Sequence, residues 1–207
     1  MHSEPPVKRP VIFAGENPLI MLYRPGGDDL VAVASLWHAT FTAEGAGHSL
    51  LIWADPEATG LGERTPTGIY TDNAPLARML WDTLNRRWDP LLGHGLESAE
   101  PQPARFVHQS GGRRLHRITC SAGATTIELV WQDAQDAFQT ITYPYEYEVS
   151  AVILPCARAS IAVDGQVAIG EVRPHADVFA RSAALAFCET WVARAQQSDV
   201  TRPTSGD

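Results

Sequence analysis

In residues 138–172, Ile141, Tyr143, Tyr145, Tyr147, Val149, Ala151 and Ile153 occupy one set of alternate positions, and Thr140, Thr142, Pro144, Glu146, Glu148 and Ser150 the other. Successive side chains of a strand point to opposite faces, so the pattern predicts one long strand with an aromatic, apolar face and a wet face. Such a strand cannot bury its apolar face alone and requires a sheet around it. Pro144 is the disturbance, because proline in a strand marks an edge or a bulge. A bulge there would exchange the faces and turn Glu146 or Glu148 inward. Pro155 should end or bend the strand. Asp164-Gly165 predicts a tight hairpin pairing residues 157–163 with 166–172, which sets Arg158 opposite Glu171.

The same reading extends to the rest of the chain. Residues 30–43 alternate, with Val31, Val33, Trp37 and Phe41 on one face and Leu36, His38, Thr40 and Thr42 on the other. The connection Glu44-Gly45-Ala46-Gly47 should return residues 49–53 as an antiparallel partner. Further strands are expected near 67–71, 104–109, 114–121 and 125–131, the last three punctuated by Gly111-Gly112 and Gly123.

Two segments have a helical pattern. Asp72 or Asn73 caps the first, Pro75 lies just inside its start, and Leu76, Met79, Leu80, Leu84 and Trp88 recur at three- and four-residue steps up to Asp89-Pro90. The second carries Val178, Phe179, Leu185, Phe187 and Trp191 among many alanines, without Gly or Pro, and Asp177 is its candidate cap.

The expected fold class is therefore α+β and predominantly β. It is a curved antiparallel sheet or closed barrel of about nine or ten strands, with one inserted helix and one C-terminal helix, since a sheet of that size must curl or close to manage its edges. A chain of 207 residues with 44% apolar residues builds one substantial core. The polar, Pro-bearing ends at 1–10 and 196–207 read as tails around a single domain at 11–195.

The layout over residues 20–195 resembles lipocalin-like (calycin) barrels, with START-type helix-grip domains second. The resemblance rests on strand and helix order and on no shared motif, and the Gly-x-Trp of lipocalins is not found near the first strand. It implies a ligand cavity and carries over no site residue.

Composition narrows the partners. With 24 acidic against 16 basic side chains and a net charge of -8, neither nucleic acid nor an anionic membrane surface is an expected partner. Three widely spaced cysteines without a CxxC fit reduced thiols and a cytoplasmic setting. A homodimer is compatible with the sequence.

The seven histidines show no HxH, HExxH or Cys/His spacing, and His108 and His116 would point to opposite faces across a two-residue turn, so neither a metal nor another cofactor is expected. Aromatic side chains with polar tips suit the walls of a small-molecule pocket. Trp37, Phe41, Trp53, Trp131, Tyr143, Tyr145 and Tyr147 are the expected lining for a small hydrophobic or aromatic ligand.

A second reading makes the same cavity that of a cofactor-independent isomerase, cyclase, hydratase or lyase, with Glu148 and His38 as its acid and base beside the phenols. A third is a filled core whose surface binds another protein.

Overall fold

A computed structural model describes residues 10–111, 115–173 and 184–195. The protein is mostly β, with a large mixed sheet and one main helix. The strands are β1 (Val11–Glu16), β2 (Leu19–Tyr23), β3 (Leu30–Phe41), β4 (Gly47–Ala54), β5 (Gly68–Thr71), β6 (Gln102–Pro103), β7 (Arg105–Ser110), β8 (Leu115–Ala122), β9 (Thr125–Ala134), β10 (Phe138–Thr142), β11 (Tyr147–Val163), β12 (Gln166–Val167) and β13 (Ala184–Arg194).

Their main path is β6-β5-β4-β3-β1-β13-β11-β9-β8-β7, with β2, β10 and β12 beside it. Among the described residues only β5 and β6 pair in parallel; the other ladders are antiparallel. The sheet is not a clear closed barrel, and among the described residues its 13 strands, ten of them on the main path, exceed the nine or ten expected. Its two end strands are nevertheless neighbours in the chain, separated only by Ala104.

One face of this sheet is filled by side chains. Leu22, Leu36, Leu50, Ile118, Leu129 and Trp131 belong to a single buried cluster although their strands are far apart on the path, which requires strong curvature with this face inside. Trp131 is fully buried and its Nε1 donates to the Leu19 carbonyl at 2.9 Å. The other face is covered by the helix α1 (Ala74–Thr83), by the turns after it and by β10.

The β3–β4 hairpin forms as the pattern requires, in a register that sets Ala39 opposite Gly47 and Leu36 opposite Leu50. The Asn73 side chain caps α1 by accepting from the Leu76 amide at 3.2 Å, with Pro75 in the first turn. The α-helix ends at Thr83, short of the expected Trp88, and continues as 3-10 turns at Asn85–Arg87 and Asp89–Leu91.

Three other expectations are corrected. Residues 138–154 are a hairpin and not one strand: Phe138 pairs with Ile153 and Thr142 with Val149, so the string from Tyr143 to Glu146 is the turn. Tyr145 takes a left-handed φ of 59°, which breaks the alternation on which the aromatic face depended.

The expected C-terminal helix is also a strand where it is described. β13 lies between β1 and β11, and pairing on both edges overrides the helical preference of its alanines. Val178 and Phe179 fall outside the described residues. Finally, the Asp164-Gly165 hairpin forms but stops after Gln166–Val167, because Glu171 exchanges backbone hydrogen bonds with Tyr23; Arg158 pairs with Asp133.

Pro155 sits at a register shift where β11 changes partners, from β10 and β13 to β9. Cys120, Cys156 and Cys188 are free and buried, and burial pushes the Cys120 thiol up to about 12 and that of Cys156 to about 11. Among the described residues no helix is long and apolar enough to cross a membrane.

Candidate functional site

Two features could carry function, one on each face of β3. The first is a cleft of about 150 Å3 on the covered face. Its floor is Leu19, Ser35 and Trp37 with Val149, Ala151 and Ile153 of β11; Leu84, Asn85 and Trp88 form one wall, and Thr140, Thr142, Pro144 and Tyr145 the other. The early end of α1 matters here, because the 3-10 turns bring Asn85 and Trp88 over the sheet. Trp53 pins this segment: its Nε1 donates to the Pro90 carbonyl at 2.6 Å, and the His94 ring stacks on it at 3.5 Å.

The rim is latched by the turn between β10 and β11. The Tyr145 hydroxyl donates to the Arg87 carbonyl, the Arg87 guanidinium lies 4.9 Å from the Tyr145 ring centre, and it also donates to Glu146 at 2.8 Å. That bond from Arg87 holds the Glu146 carboxyl below its usual range.

The walls are mainly apolar, with a few polar atoms. Asn17 Nδ2 donates to the Leu36 carbonyl at 2.9 Å and Thr190 Oγ1 to the Cys188 carbonyl at 3.0 Å. Trp37 Nε1, Asn85 Nδ2 and Thr142 Oγ1 are buried in the cleft walls without a hydrogen-bond partner among the described residues. An unpaired buried donor costs about 1–3 kcal/mol, so an occupant offering an acceptor here would relieve a real penalty.

The second feature is a group of three histidines at the end of the filled face. His38 and His48 are directly opposite in the β3–β4 ladder, and His108 reaches them from β7. One ligand nitrogen from each lies within 4.8 Å of the others. The His38 and His48 rings stack with centres 4.4 Å apart and planes within 4°, and His48 Nε2 is 3.0 Å from His108 Nε2. Asp72 accepts from the His48 backbone amide at 2.6 Å and meets its Nδ1 at 2.7 Å. A carboxylate can only accept, so the His48 proton sits on Nδ1 and the Nε2 lone pair faces the other rings.

Burial lowers the His108 pKa to about 4, helped by His48 and His38, and burial followed by the nearby His48 lowers that of His38. Gly15 permits the close fit of β1 beside this group: a Cβ there would stand 2.3 Å from the His38 carbonyl oxygen.

No family model, curated protein or solved structure matches the chain.

Of the expected ligand-lining residues, Trp37 and Tyr145 are at the cleft. Tyr147 is buried beside it, in a cluster with Trp37 and Phe13. Phe41 is 57% exposed at the end of β3, and Tyr143 is exposed in the turn. Trp53 acts behind the cleft wall, and Trp131 is sealed in the filled face.

Of the two expected catalytic residues, Glu148 occupies the strand position between Tyr147 and Val149 and so faces away from the cleft, and His38 belongs to the histidine group. They are not brought together. The register of β7 and β8 pairs Ser110 with His116 and His108 with Ile118, which puts both histidines on one face and not on opposite ones. His48, His108, Asp72, Asn85 and Trp88 are the residues missed from sequence. His48 had no usable signal, since the register that sets it opposite His38 centres on Ala43 and not on the Gly45 turn.

Proposed function

We propose that the protein binds one small, largely apolar molecule bearing a hydrogen-bond acceptor, in the cleft between β3, β11 and the turns that follow α1. The observation that carries this reading is that three residues lining one apolar hollow, Trp37, Asn85 and Thr142, each hold a buried polar atom (Nε1, Nδ2 and Oγ1) without a hydrogen-bond partner among the described residues. A cavity of about 150 Å3 accepts a ring the size of benzene, so the ligand class is a single-ring or short aliphatic carbonyl compound.

The reading places the ligand outside the curved sheet, unlike the lipocalin-like layout in which a barrel interior holds it. It also treats the sheet as barrel-like, supported by the shared interior cluster and by the chain continuity of β6 and β7 through Ala104.

Binding is favoured over acid-base catalysis because, among the described residues, no carboxylate or histidine lines the cleft. Calorimetric titration with cyclic ketones of rising size tests it. The expected result is saturable binding at one site for a single ring and none for fused two-ring ketones. Heats that never saturate, or that ignore size, would refute it.

A further inference from the structure

We propose that His38, His48 and His108 are ligands of a divalent transition-metal ion, with Zn2+ the first expectation. The donors come from three strands, β3, β4 and β7, and one nitrogen of each lies within 4.8 Å of the others. Two nitrogens of a tetrahedral zinc site, with bonds of about 2.0–2.1 Å, lie about 3.3 Å apart. His48 Nε2 and His108 Nε2, at 3.0 Å, are already near that spacing. For a metal to be shared, the His38 ring must turn out of its stack on His48 about its side-chain torsions, which brings its nitrogen in from the 4.8 Å limit of the set.

The second observation is Asp72. A metal-bound histidine almost always passes its other ring N–H to a carboxylate or carbonyl, which fixes the tautomer and aims the lone pair. Asp72 does this for His48, and it is itself held by the His48 amide, so the orientation is built by the backbone as well as by the side chain. Strand residues hold such geometry better than loop residues do.

The donor set points to the metal class. Three neutral imidazoles suit Zn2+, Cu2+ or Ni2+, whereas Ca2+ and Mg2+ take oxygen ligands. Three protein ligands leave a fourth position for water. The site lies on the face of β3 opposite the cleft and stands independently of the ligand proposed there.

Calorimetry with Zn2+ on the untagged, chelator-stripped full chain tests this. The expected result is one saturable equivalent and a raised unfolding temperature, both abolished in His108→Gln and unchanged in His94→Gln. Asp72→Asn should weaken affinity about 10- to 100-fold without abolishing it. Far-UV circular dichroism checks that the variants fold, and His38→Gln decides the matter if His108→Gln does not. No saturable equivalent in the natural protein, or binding that survives His108→Gln, overturns the proposal.

Discussion

Trp37 and His38 are consecutive in β3 and face opposite sides of the sheet: Trp37 forms part of the cleft floor, and His38 stacks on His48 at the end of the filled face. A one-residue slip of β3 would exchange them. The register that pairs Trp37 with Ser49 and His38 with His48 therefore sets both candidate sites at once.

The rim latch is the most accessible part to perturb. Tyr145→Phe removes the hydroxyl that donates to the Arg87 carbonyl. It should cost about 0.5–1.5 kcal/mol in denaturant unfolding, and it should speed release of a cleft ligand in stopped-flow measurements while leaving the site's size limit unchanged.

Trp131 should behave as a core residue and not as a ligand contact. Trp131→Phe removes the indole donor to the Leu19 carbonyl and leaves space in the filled face. A loss of about 2–4 kcal/mol by urea unfolding is expected, with ligand affinity retained wherever the variant is folded.

Acid should weaken the fold through His108. Its folded pKa of about 4 lies below the unfolded value of about 6.5, so as pH falls from 6.5 towards 4 the unfolded chain takes up the proton first and stability is lost across that window. The lowered pKa of His38 acts with the same sign. Unfolding temperatures measured between pH 7 and 4 should fall less steeply in His108→Gln than in the natural protein.

The β-rich class, the β3–β4 hairpin and the Asn73 cap with Pro75 were legible because each rests on a local rule. The turn at residues 143–146 was not. It lacks a glycine, and Tyr145 holds its left-handed φ of 59° while its hydroxyl bonds the distant Arg87, a contact that no local pattern encodes. β13 reads as a helix from its alanines and becomes a strand because β1 and β11 pair with both its edges. The histidine group spans 70 positions, and only the β3–β4 register and the approach of β7 bring it together.

Ala151 offers the most direct test of the central claim, since it is buried, lines the cleft floor and ends in a single methyl group. Ala151→Leu should fill the hollow, raising stability by about 1 kcal/mol. Calorimetric titration of this variant beside the natural protein with the same single-ring ketone should show saturable binding in the natural protein and none in Ala151→Leu. Equal binding in a folded Ala151→Leu variant would contradict a ligand site in this cleft.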